Sequence, residues 1–507
     1  MEVNMEKIFV YDVTLRDGEQ APGFKMNSDQ KYEIAKALAD MKVDGIEAGF
    51  AASSPGDFNS VRRIAKDVQG PVIASLARCM PGDIKAAGEA LAPAIARGQG
   101  RIHTFIATSD IHVQNKLRKS REAIIRMAVD GVTYAKSFTP DVEFSCEDFG
   151  RSDIGYTIDV VRNVIQAGAT TINLPDTVGY RYPTEIEEMV RQVIQGVGIP
   201  GIVYSMHAHN DLGMASVNTL YAIRGGARQV EVTINGIGER AGNCALEEVM
   251  AGINERPEFF NATSGVYCTS IIPVSRLVSR VTGKYPQLNK AITGGNAFRH
   301  SSGIHQDGML KDSRTYGWID PERYGTKSES PLTARSGKNQ VQTSLAQKEI
   351  KFDESKMAEI MTRYKTLADQ VDDVFDDILV MAVRGHESVP EYYKLVSYRA
   401  SIDEQGGQAT IEVEVDGARK TVTGHGNGMI SATENAFNTV TGMNLDIADY
   451  RSVSIEQGGT ARGMETILAK NNGFVVRGIG IDEDTVRGAA KAYLDASNKM
   501  KYVIENR

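Results

Sequence analysis

Residues 203–213 read V-Y-S-M-H-A-H-N-D-L-G, an apolar run that carries two histidines and then becomes polar and ends in glycine. Because residues i and i+2 of a strand point to the same face, His207 and His209 would share one face. Two such imidazoles can bind one metal ion, or they can be strand histidines that only form hydrogen bonds. The segment therefore predicts a strand that opens into a loop, with a metal site only where further ligands gather.

Strand-like runs alternate with helical patterns on both sides of this segment, up to about residue 270. The predicted strands are 8–13, 43–48, 72–76, 102–107, 142–145, 171–174, 202–206 and 229–234. The predicted helices include 29–41, 57–68, 119–130, 156–167, 183–197 and 214–224. This rhythm predicts a (β/α)8 TIM barrel. A doubly wound open sheet is the alternative, and its dinucleotide-binding form is weakened because no G-x-G-x-x-G follows the first strand.

Polar side chains stand at the carboxyl end of nearly every predicted strand, where barrel enzymes place their active sites. They are Arg16, Asp17, Glu47, His103, Glu147, Asp176, Thr177, His207, His209, Glu239 and Asn243. Two oxygen ligands from Asp17 and Asn243 would join the two imidazoles, a mixture that suits Mg, Mn, Zn or Co. Alone, Asp17 could be a turn residue and Asn243 a helix cap. Together the four residues favour a divalent metal site.

Composition and charge exclude several classes of protein. The formal net charge of −8 offers no basic field for nucleic acid. The sequence contains no apolar run long enough for a membrane span and no signal-peptide pattern near Met1. Four cysteines without C-x-x-C spacing argue against a disulfide framework and a structural zinc site. We therefore expect a cytoplasmic protein without a membrane or nucleic-acid partner.

Several motifs resemble those of the DRE-TIM metallolyase superfamily and, within it, the family of isopropylmalate, homocitrate and citramalate synthases. They are T-L-R-D-G-E-Q-A-P-G (14–23), G-I-E-A-G-F (45–50), S-S-P-G-D-F (53–58), H-T-F-I-A-T-S (103–109), L-P-D-T-V-G-Y (174–180), H-A-H-N-D-L-G (207–213) and N-G-I-G-E-R-A-G-N (235–243). The motifs run in order along the chain, and the resemblance extends over essentially all of it.

The resemblance implies an acyltransferase that performs a metal-dependent Claisen condensation of acetyl-CoA with a 2-oxoacid and releases CoA. The implied metal ligands are Asp17, His207, His209 and Asn243. The implied catalytic residues are Arg16, Glu147, His305 and Tyr316, and the implied substrate-binding residues are Glu47, His103, Glu143 and Thr177. Arg16 would stabilise the developing oxyanion, and Thr177 would hold the substrate carboxylate. The metal (Mg, Mn or Zn) and any activation by K+ stay open.

The acceptor expected from the resemblance is 3-methyl-2-oxobutanoate, which would make this the first committed step of leucine biosynthesis. Homocitrate synthases, which use 2-oxoglutarate, carry an arginine where this chain has Glu143 and tend to carry an acidic residue where it has Ser205. Citramalate synthases use pyruvate, which differs only in size. A metal-dependent carbon–carbon lyase and a non-enzymatic metal or amino-acid sensor are the alternatives from other classes.

The alternation of predicted strands and helices stops after residue 270. The glycine-rich segment 293–310 contains His305 in S-G-I-H-Q-D-G, and Tyr316 follows in R-T-Y-G-W. Both match residues that the family uses as general acid/base groups, although Gly317-Trp318 departs from its pattern. The family places this segment over the barrel of a partner subunit, which implies a homodimer. Residues 353–383 are predicted to be helical, with the acidic run at 372–377 on a solvated face.

The C-terminal part contains an internal repeat. Residues 398–407 realign on 450–459, shifted by 52 positions (450 minus 398), and the register continues without a gap. Gly426 and Gly428 then fall on Gly478 and Gly480, and the helix at 431–440 falls on 483–492. Each half is predicted to form two strands, a glycine-containing turn and a helix, in that order. Two such halves predict a pseudo-twofold α/β domain with helices on one face of a sheet.

This domain resembles the family's regulatory domain, which binds leucine near its glycine-rich turns. The implied effector residues are Gly428, Met429, Gly480 and Ile481. A dimerisation domain without a ligand is the alternative. The predicted division of the chain is a catalytic barrel at 1–270, mostly helical linker subdomains that contribute to the active site at 271–390, and a regulatory domain at 391–507.

Overall fold

The structure is a computed structural model that describes residues 5–328, 331–456 and 461–507. The chain forms two compact units. One unit contains the chain up to Phe298 together with Ile319–Ser328. The other contains Arg299–Trp318 and the rest of the described chain up to Arg507.

The first unit is a closed barrel of eight parallel strands, which confirms the predicted fold. Its strands are β1 (Phe9–Asp12), β2 (Gly45–Glu47), β3 (Val72–Arg78), β4 (Gly100–Ala107), β5 (Asp141–Glu147), β6 (Thr171–Asp176), β7 (Val203–Ala208) and β8 (Gln229–Val232). Strand β8 pairs with β1 and closes the barrel. A large hydrophobic cluster fills the space between the strands and their surrounding helices.

A helix follows each barrel strand. These helices are α1 (Ser28–Asp40), α2 (Pro55–Asp67), α3 (Pro81–Ala96), α4 (Arg121–Lys136), α5 (Ile154–Ala167), α6 (Pro183–Val197), α7 (Ala215–Gly225) and α8 (Leu246–Glu255). Helix α3 contains Gly88 and Pro93, two residues that weaken a helical pattern, and it fills the third of the eight predicted β-α units. A Cβ at Gly88 would lie 2.3 Å from the Phe138 ring, so glycine is required there for close packing.

Helix α9 (Ile271–Thr282) also belongs to the first unit, and the second unit begins with helical segments. These are α10 (Gly303–Lys311), α11 (Lys338–Gln347), α12 (Met357–Ala368) and α13 (Asp376–Arg384). The prediction of one continuous helix at 353–383 is therefore wrong, because this stretch forms two helices, α12 and α13. None of the described helices is long and apolar enough to cross a membrane.

The acidic run at the start of α13 also differs from the prediction. Asp372 and Asp373 are exposed as expected, but Asp376 and Asp377 are buried. Asp376 Oδ2 accepts hydrogen bonds from Lys348 Nζ at 2.9 Å and from a backbone N–H at 2.6 Å. Burial raises the pKa of Asp377 to about 6. Charge patterning alone could not show that this run turns inward at the helix N-terminus.

The C-terminal part contains two repeats of three antiparallel strands and a helix. The first comprises β9 (Tyr393–Asp403), β10 (Gly406–Val415), β11 (Ala418–Gly426) and α14 (Met429–Thr441). The second comprises β12 (Asp446–Ser454), β13 (Gly463–Asn471), β14 (Phe474–Asp482) and α15 (Thr485–Asn506). The repeat is confirmed, but each half has three strands instead of the predicted two. The additional strand arises from two-residue hairpin turns at Asp416-Gly417 and Asn472-Gly473, all with positive φ.

The gapless register is wrong beyond the first strand of each repeat. Gly417 and Gly473 occupy equivalent hairpin turns in the two repeats. They are 56 positions apart (473 minus 417), not 52. Gly424 and Gly480 are likewise equivalent, because a Cβ at either would meet backbone atoms of the following helix at 2.0–2.4 Å. Four extra residues therefore separate β12 from β13. Residues 457–460 in that connection, which include the end of the predicted repeat, lie outside the described residues.

Candidate metal centre and active site

Three potential metal ligands converge at the carboxyl end of the barrel. His207 lies in β7 and His209 directly follows it, and Asp17 begins a short helix, Asp17–Gln20, after β1. Asp17 Oδ2 lies 3.8 Å from His207 Nε2, and Asp17 Oδ1 lies 3.5 Å from His209 Nε2. All three side chains are buried, and one ligand atom from each lies within 4.8 Å of the others. The structure therefore brings together the residues that the H-x-H spacing and the first strand-end motif predicted.

Asn243 joins this cluster from the loop after β8. An isolated bridge pairs it with His209, and Asn243 Nδ2 donates to Asp17 Oδ1 at 2.8 Å. The loop packs closely around it, because a Cβ at Gly238 would lie 2.1 Å from Asn243 Nδ2. The amide nitrogen of Asn243 thus faces Asp17, and its Oδ1 atom is buried without a hydrogen-bond partner among the described residues.

Unsatisfied buried atoms test whether these residues fit a metal ion. Among the described residues, both ring nitrogens of His209 and the Oδ1 atom of Asn243 are buried without a hydrogen-bond partner. Such atoms are costly to bury unless something binds them. One carboxylate, two imidazoles and an amide oxygen suit a divalent ion. The donor set therefore fits a metal, and Asp17, His207, His209 and Asn243 are the residues that would hold it.

Glu231 orients one of the two imidazoles, a role that the sequence analysis missed. Its Oε2 atom lies 2.8 Å from His207 Nδ1, so His207 Nε2 is turned toward Asp17. Strands β7 and β8 place His207 and Glu231 directly side by side. Carboxylates commonly fix metal-binding histidines in this way. The signal for this role in the sequence was a glutamate in the middle of a predicted barrel strand, two residues after Gln229.

Arg16 lies against three carboxylates. Its guanidinium contacts both Asp17 and Glu47 closely, and Nη2 lies 4.0 Å from Glu231. Burial disfavours the charged guanidinium, but Glu47 and Asp17 outweigh this effect and raise the pKa of Arg16. Burial would likewise raise the pKa of Asp17, but Arg16 holds it well below its usual range. Asp17 is therefore an anion that can bind a cation.

Glu47 and His103 form a buried ion pair beside Arg16. Glu47 Oε1 lies 2.7 Å from His103 Nδ1, and His103 Nε2 lies 2.7 Å from Ser145 Oγ. Burial would raise the pKa of Glu47, but Arg16 and His103 lower it to about 2. Burial would lower the pKa of His103, but Glu47 raises it to about 9. An imidazolium therefore donates to Ser145 at the cavity floor.

Glu143 occupies a layer beneath this pair. Its carboxylate accepts from Arg101 Nη1 at 2.9 Å and from Gln229 Nε2 at 2.7 Å. Burial raises the pKa of Glu143 to about 7, although His103 and Arg101 oppose the shift. Glu143 is fully buried and does not line the cavity described below. Arg101 and Gln229 already donate to its two oxygens, and a direct substrate contact of Glu143 stays a prediction.

A cavity of about 240 Å³ opens above the candidate ligands. Its lining includes Arg16, Asp17, Gln20, Leu76, His103, Phe105, Ser145, Glu147, Asn173, Pro175, Thr177, His207, His209, Glu231, Glu239 and Arg240. Thr177 Oγ1 accepts from the backbone N–H of Asp148 at 2.9 Å, which leaves the hydroxyl proton free to be donated. Glu147 lies 2.6 Å from Lys116 Nζ. The cavity thus combines a metal-ligand cluster, a hydroxyl donor and an acidic wall.

His305 and Tyr316 lie in the second unit. Their rings stack with centroids 4.1 Å apart and an interplanar angle of 22°. Both side chains are exposed. Helix α10 carries His305, and the short helical turn Ser313–Thr315 leads to Tyr316. The two rings are therefore neighbours in the structure, and the acid/base roles of His305 and Tyr316 stay a prediction.

The four predicted effector residues lie in different parts of their repeats. Gly428 and Met429 form the start of α14, whereas Gly480 and Ile481 belong to β14. In the corrected register, Gly480 corresponds to Gly424. The four residues are therefore not related by the pseudo-symmetry, and their role in effector binding stays a prediction.

The Glu47–His103 pair predicts a pH dependence of stability. The folded protein binds the His103 proton more tightly than an unfolded chain with the ordinary value of 6.5. The resulting stabilisation is complete below pH 6.5 and is lost as the pH rises through about 9. Urea unfolding of wild type and His103→Gln at several pH values checks this. We expect the difference in unfolding free energy to shrink across that window; a constant difference would contradict it.

Comparison with known proteins agrees with this architecture. Residues 7–278 match the HMGL-like family model, residues 292–372 the homocitrate synthase post-HMGL domain-like model, and residues 371–501 the LeuA allosteric (dimerisation) domain model. Among solved structures, hydroxymethylglutaryl-CoA lyase from Pseudomonas aeruginosa aligns with 55% of this chain and 95% of its own, at 23% identity and a TM-score of 0.47.

Two curated relatives extend over the whole chain. The 2-isopropylmalate synthase of Campylobacter concisus (strain 13826) is 42% identical, over 99% of this chain and 100% of that protein. The 2-isopropylmalate synthase of Pyrococcus furiosus is 43% identical, over 98% and 99%. The barrel, its ligand cluster and the HMGL-like match define a barrel enzyme of the HMGL-like class. More narrowly, the chain belongs to the 2-isopropylmalate synthase family.

Proposed function

We propose that this enzyme condenses acetyl-CoA with 3-methyl-2-oxobutanoate and releases 2-isopropylmalate and CoA, the first committed step of leucine biosynthesis. The observation that carries the proposal is the buried cluster of Asp17, His207 and His209, which line a cavity at the carboxyl end of the barrel and which Asn243 joins through its hydrogen bond to Asp17. Relatives named for this activity extend over the full chain.

The four clustered residues would hold a divalent metal. When bound, the ion would act as a Lewis acid toward the 2-oxoacid and orient it. Hard oxygen ligands from Asp17 and Asn243 favour Mg or Mn, whereas the two imidazoles also accommodate Zn. Glu231 fixes the tautomer of His207 that presents Nε2 to the ion.

The remaining cavity residues bind and polarise the substrates. Thr177 can donate its hydroxyl proton to the substrate carboxylate, because its oxygen already accepts from the Asp148 N–H. Arg16 is a fixed cation where negative charge develops on the ketone oxygen. Glu147 is an acid on the cavity wall. His305 and Tyr316, stacked on each other, would exchange protons with the acetyl methyl group or the carbonyl.

We further propose a homodimer in which the segment with His305 and Tyr316 serves the barrel of the partner subunit. The match of residues 371–501 to a dimerisation domain supports an assembly of two copies. Size-exclusion chromatography with light scattering measures the mass. Mixing inactive Asp17→Asn and His305→Ala subunits would restore activity if the sites are shared between subunits.

Acceptor choice is the most direct test of the proposed activity. We expect acetyl-CoA-dependent thiol release with Mg or Mn to be faster with 3-methyl-2-oxobutanoate than with pyruvate or 2-oxoglutarate. The arginine that homocitrate synthases carry is absent from this chain, which has Glu143 in its place, and this argues against a dicarboxylic 2-oxoacid. Preference for pyruvate would assign citramalate synthesis instead, and absence of thiol release with all three acceptors would refute the condensation.

The proposed domain division is a catalytic barrel at 1–270, linker subdomains at 271–390 and a regulatory domain at 391–507. We propose leucine as the effector of the last. Deletion of 391–507 is a poor test, because α12, α13 and the C-terminal repeats share one hydrophobic cluster. Isothermal titration calorimetry of leucine binding to the full chain is a sharper test than the deletion. We expect leucine to bind and to lower activity, whereas binding of isoleucine alone would reassign the effector.

A further inference from the structure

The side chain of Glu247, in the first turn of α8, is fully buried beside the loop that follows β8. None of the roles proposed above involves it. Its Oε2 atom accepts from the backbone N–H of Asn235 at 3.1 Å, and its Oε1 atom accepts from Thr293 Oγ1 at 3.2 Å and lies 3.5 Å from Lys290 Nζ. Burial of a carboxyl group is costly unless such partners satisfy it. Glu247 therefore ties the start of this loop to α8.

Asn235 and Gly236 form a tight turn at the start of the loop. Both have left-handed backbones, with φ of 63° and 67°, and the N–H of Ile237 donates to the carbonyl of Ile234 at 3.4 Å. Two successive left-handed residues define a type I′ turn, for which Asn-Gly is a preferred pair. Ser275 of α9 also holds the turn, because its Oγ atom donates to Asn235 Oδ1 at 2.6 Å. The turn is thus fixed by two helices, α8 and α9.

This turn sets the orientation of Asn243. The carbonyl of Gly236 accepts from the backbone N–H of Asn243 at 2.9 Å, and the carbonyl of Ile237 accepts from Asn243 Nδ2 at 3.2 Å. Because Nδ2 also donates to Asp17 Oδ1 at 2.8 Å, both of its protons are used. The Oδ1 atom is the part of the amide left for a further partner. The position of the turn therefore decides where the amide oxygen lies.

We propose that Glu247 is a positioning residue for the metal site: by holding the turn at Asn235 and Gly236, it keeps Asn243 in the orientation that offers Oδ1 as a ligand. The inference rests on the divalent metal site proposed above. Glu247 does not line the cavity next to the candidate ligands, so it acts through the loop and not by contact with the ion or the substrate. Groups that orient metal ligands in this way commonly contribute about 10–100-fold to metal affinity.

The test is calorimetric titration of the full chain with Mn²⁺ in wild type, Glu247→Met and Glu247→Gln. Methionine is of similar length but leaves the Asn235 N–H without its acceptor, so we expect the dissociation constant for Mn²⁺ to rise by about 10-fold. Glutamine keeps an oxygen that accepts from this N–H and an amide group that can donate to Thr293, so it should restore most of the affinity. Hydrogen exchange over residues 235–243 of the metal-free protein should be faster in Glu247→Met than in wild type.

Glu255→Met is the matched control, because Glu255 lies at the other end of α8. Its Oε1 atom accepts from Arg323 Nη1 at 3.0 Å and from the Tyr324 hydroxyl at 2.8 Å, and both partners lie outside the loop 235–243. We expect both methionine variants to be destabilised in urea, and Glu255→Met to bind Mn²⁺ with wild-type affinity. A loss of affinity confined to Glu247→Met then reports on the position of the loop and not on the stability of α8.

Three outcomes would overturn the inference: wild-type affinity for Mn²⁺ in Glu247→Met, no recovery in Glu247→Gln, or an equal loss in Glu255→Met. If Glu247→Met does not fold, Thr293→Val removes one donor to the same carboxyl group. Weaker Mn²⁺ binding by Thr293→Val then supports the role of Glu247, and unchanged binding overturns it. A wild type that binds no Mn²⁺ would refute the proposed metal site as well, whereas one that binds Mn²⁺ but releases no thiol would refute only the condensation.

Discussion

Asp17→Asn is expected to lower the rate of thiol release by about 10³-fold, because the loss of a metal ligand removes several kcal/mol of transition-state stabilisation. The carboxylate is buried, is held ionised by Arg16 and lies within 3.5–3.8 Å of both imidazoles. Asparagine keeps the shape of the side chain and its contact with Asn243, but it removes the negative charge that attracts the cation.

The measurement for Asp17→Asn combines activity with direct titration of Mg or Mn by calorimetry. Asp211→Asn is the matched control, because Arg240 Nε and Nη2 occupy both Asp211 oxygens at 2.7 and 2.8 Å. We expect Asp211→Asn to keep wild-type metal affinity. Unchanged affinity in Asp17→Asn would contradict the ligand assignment, even if activity were lost.

The gathering of the candidate ligands at one end of the barrel can be predicted from sequence because strand geometry is simple, whereas their binding of a metal stays a prediction. An alternating pattern places His207 and His209 on one face, and the carboxyl ends of all barrel strands meet at one rim. Asp17 and Asn243 lie in loops that leave neighbouring strands β1 and β8, so their convergence follows from barrel closure. Knowledge of the fold alone therefore suffices to bring four distant residues together.

Glu231 and Glu143 show where this reasoning ends. Both are glutamates inside barrel strands, and both side chains point into the barrel. Each lies two residues along its strand from a residue near the candidate site. Their heights in the barrel differ: Glu231 reaches His207, whereas Glu143 sits one layer deeper with Arg101. Strand stagger decides the layer, and no single sequence reveals the stagger.

The predicted register of the C-terminal repeat is wrong for a different reason. Sequence identity around Tyr398 and Tyr450 fixes a correct register for one strand only. The hairpin turns at Gly417 and Gly473 reveal the true spacing, since D-G and N-G are the strongest signals for a two-residue turn. Turn chemistry is thus a better guide to register here than the most similar stretch of side chains.

Arg16→Met is expected to have the second large effect, lowering kcat by about 10²–10³-fold through loss of a cation at the developing oxyanion. It should also lower the free energy of unfolding by about 3–5 kcal/mol, because removal of one partner leaves buried charges uncompensated. Glu47 would then depend on His103 alone, and Asp17 and Glu231 would both lose the Arg16 cation.

Arg101→Met separates these two effects. Arg101 is also buried and pairs with Asp141 and Glu143 at 3.0 and 2.9 Å, but it lies outside the cavity lining. We expect both variants to be destabilised in urea and only Arg16→Met to lose kcat in assays below the unfolding transition. Arg16→Lys keeps the charge without the planar fork and should recover part of the loss. Equal kcat losses in Arg16→Met and Arg101→Met would mean that Arg16 acts through the packing of the buried layer and not on the substrate.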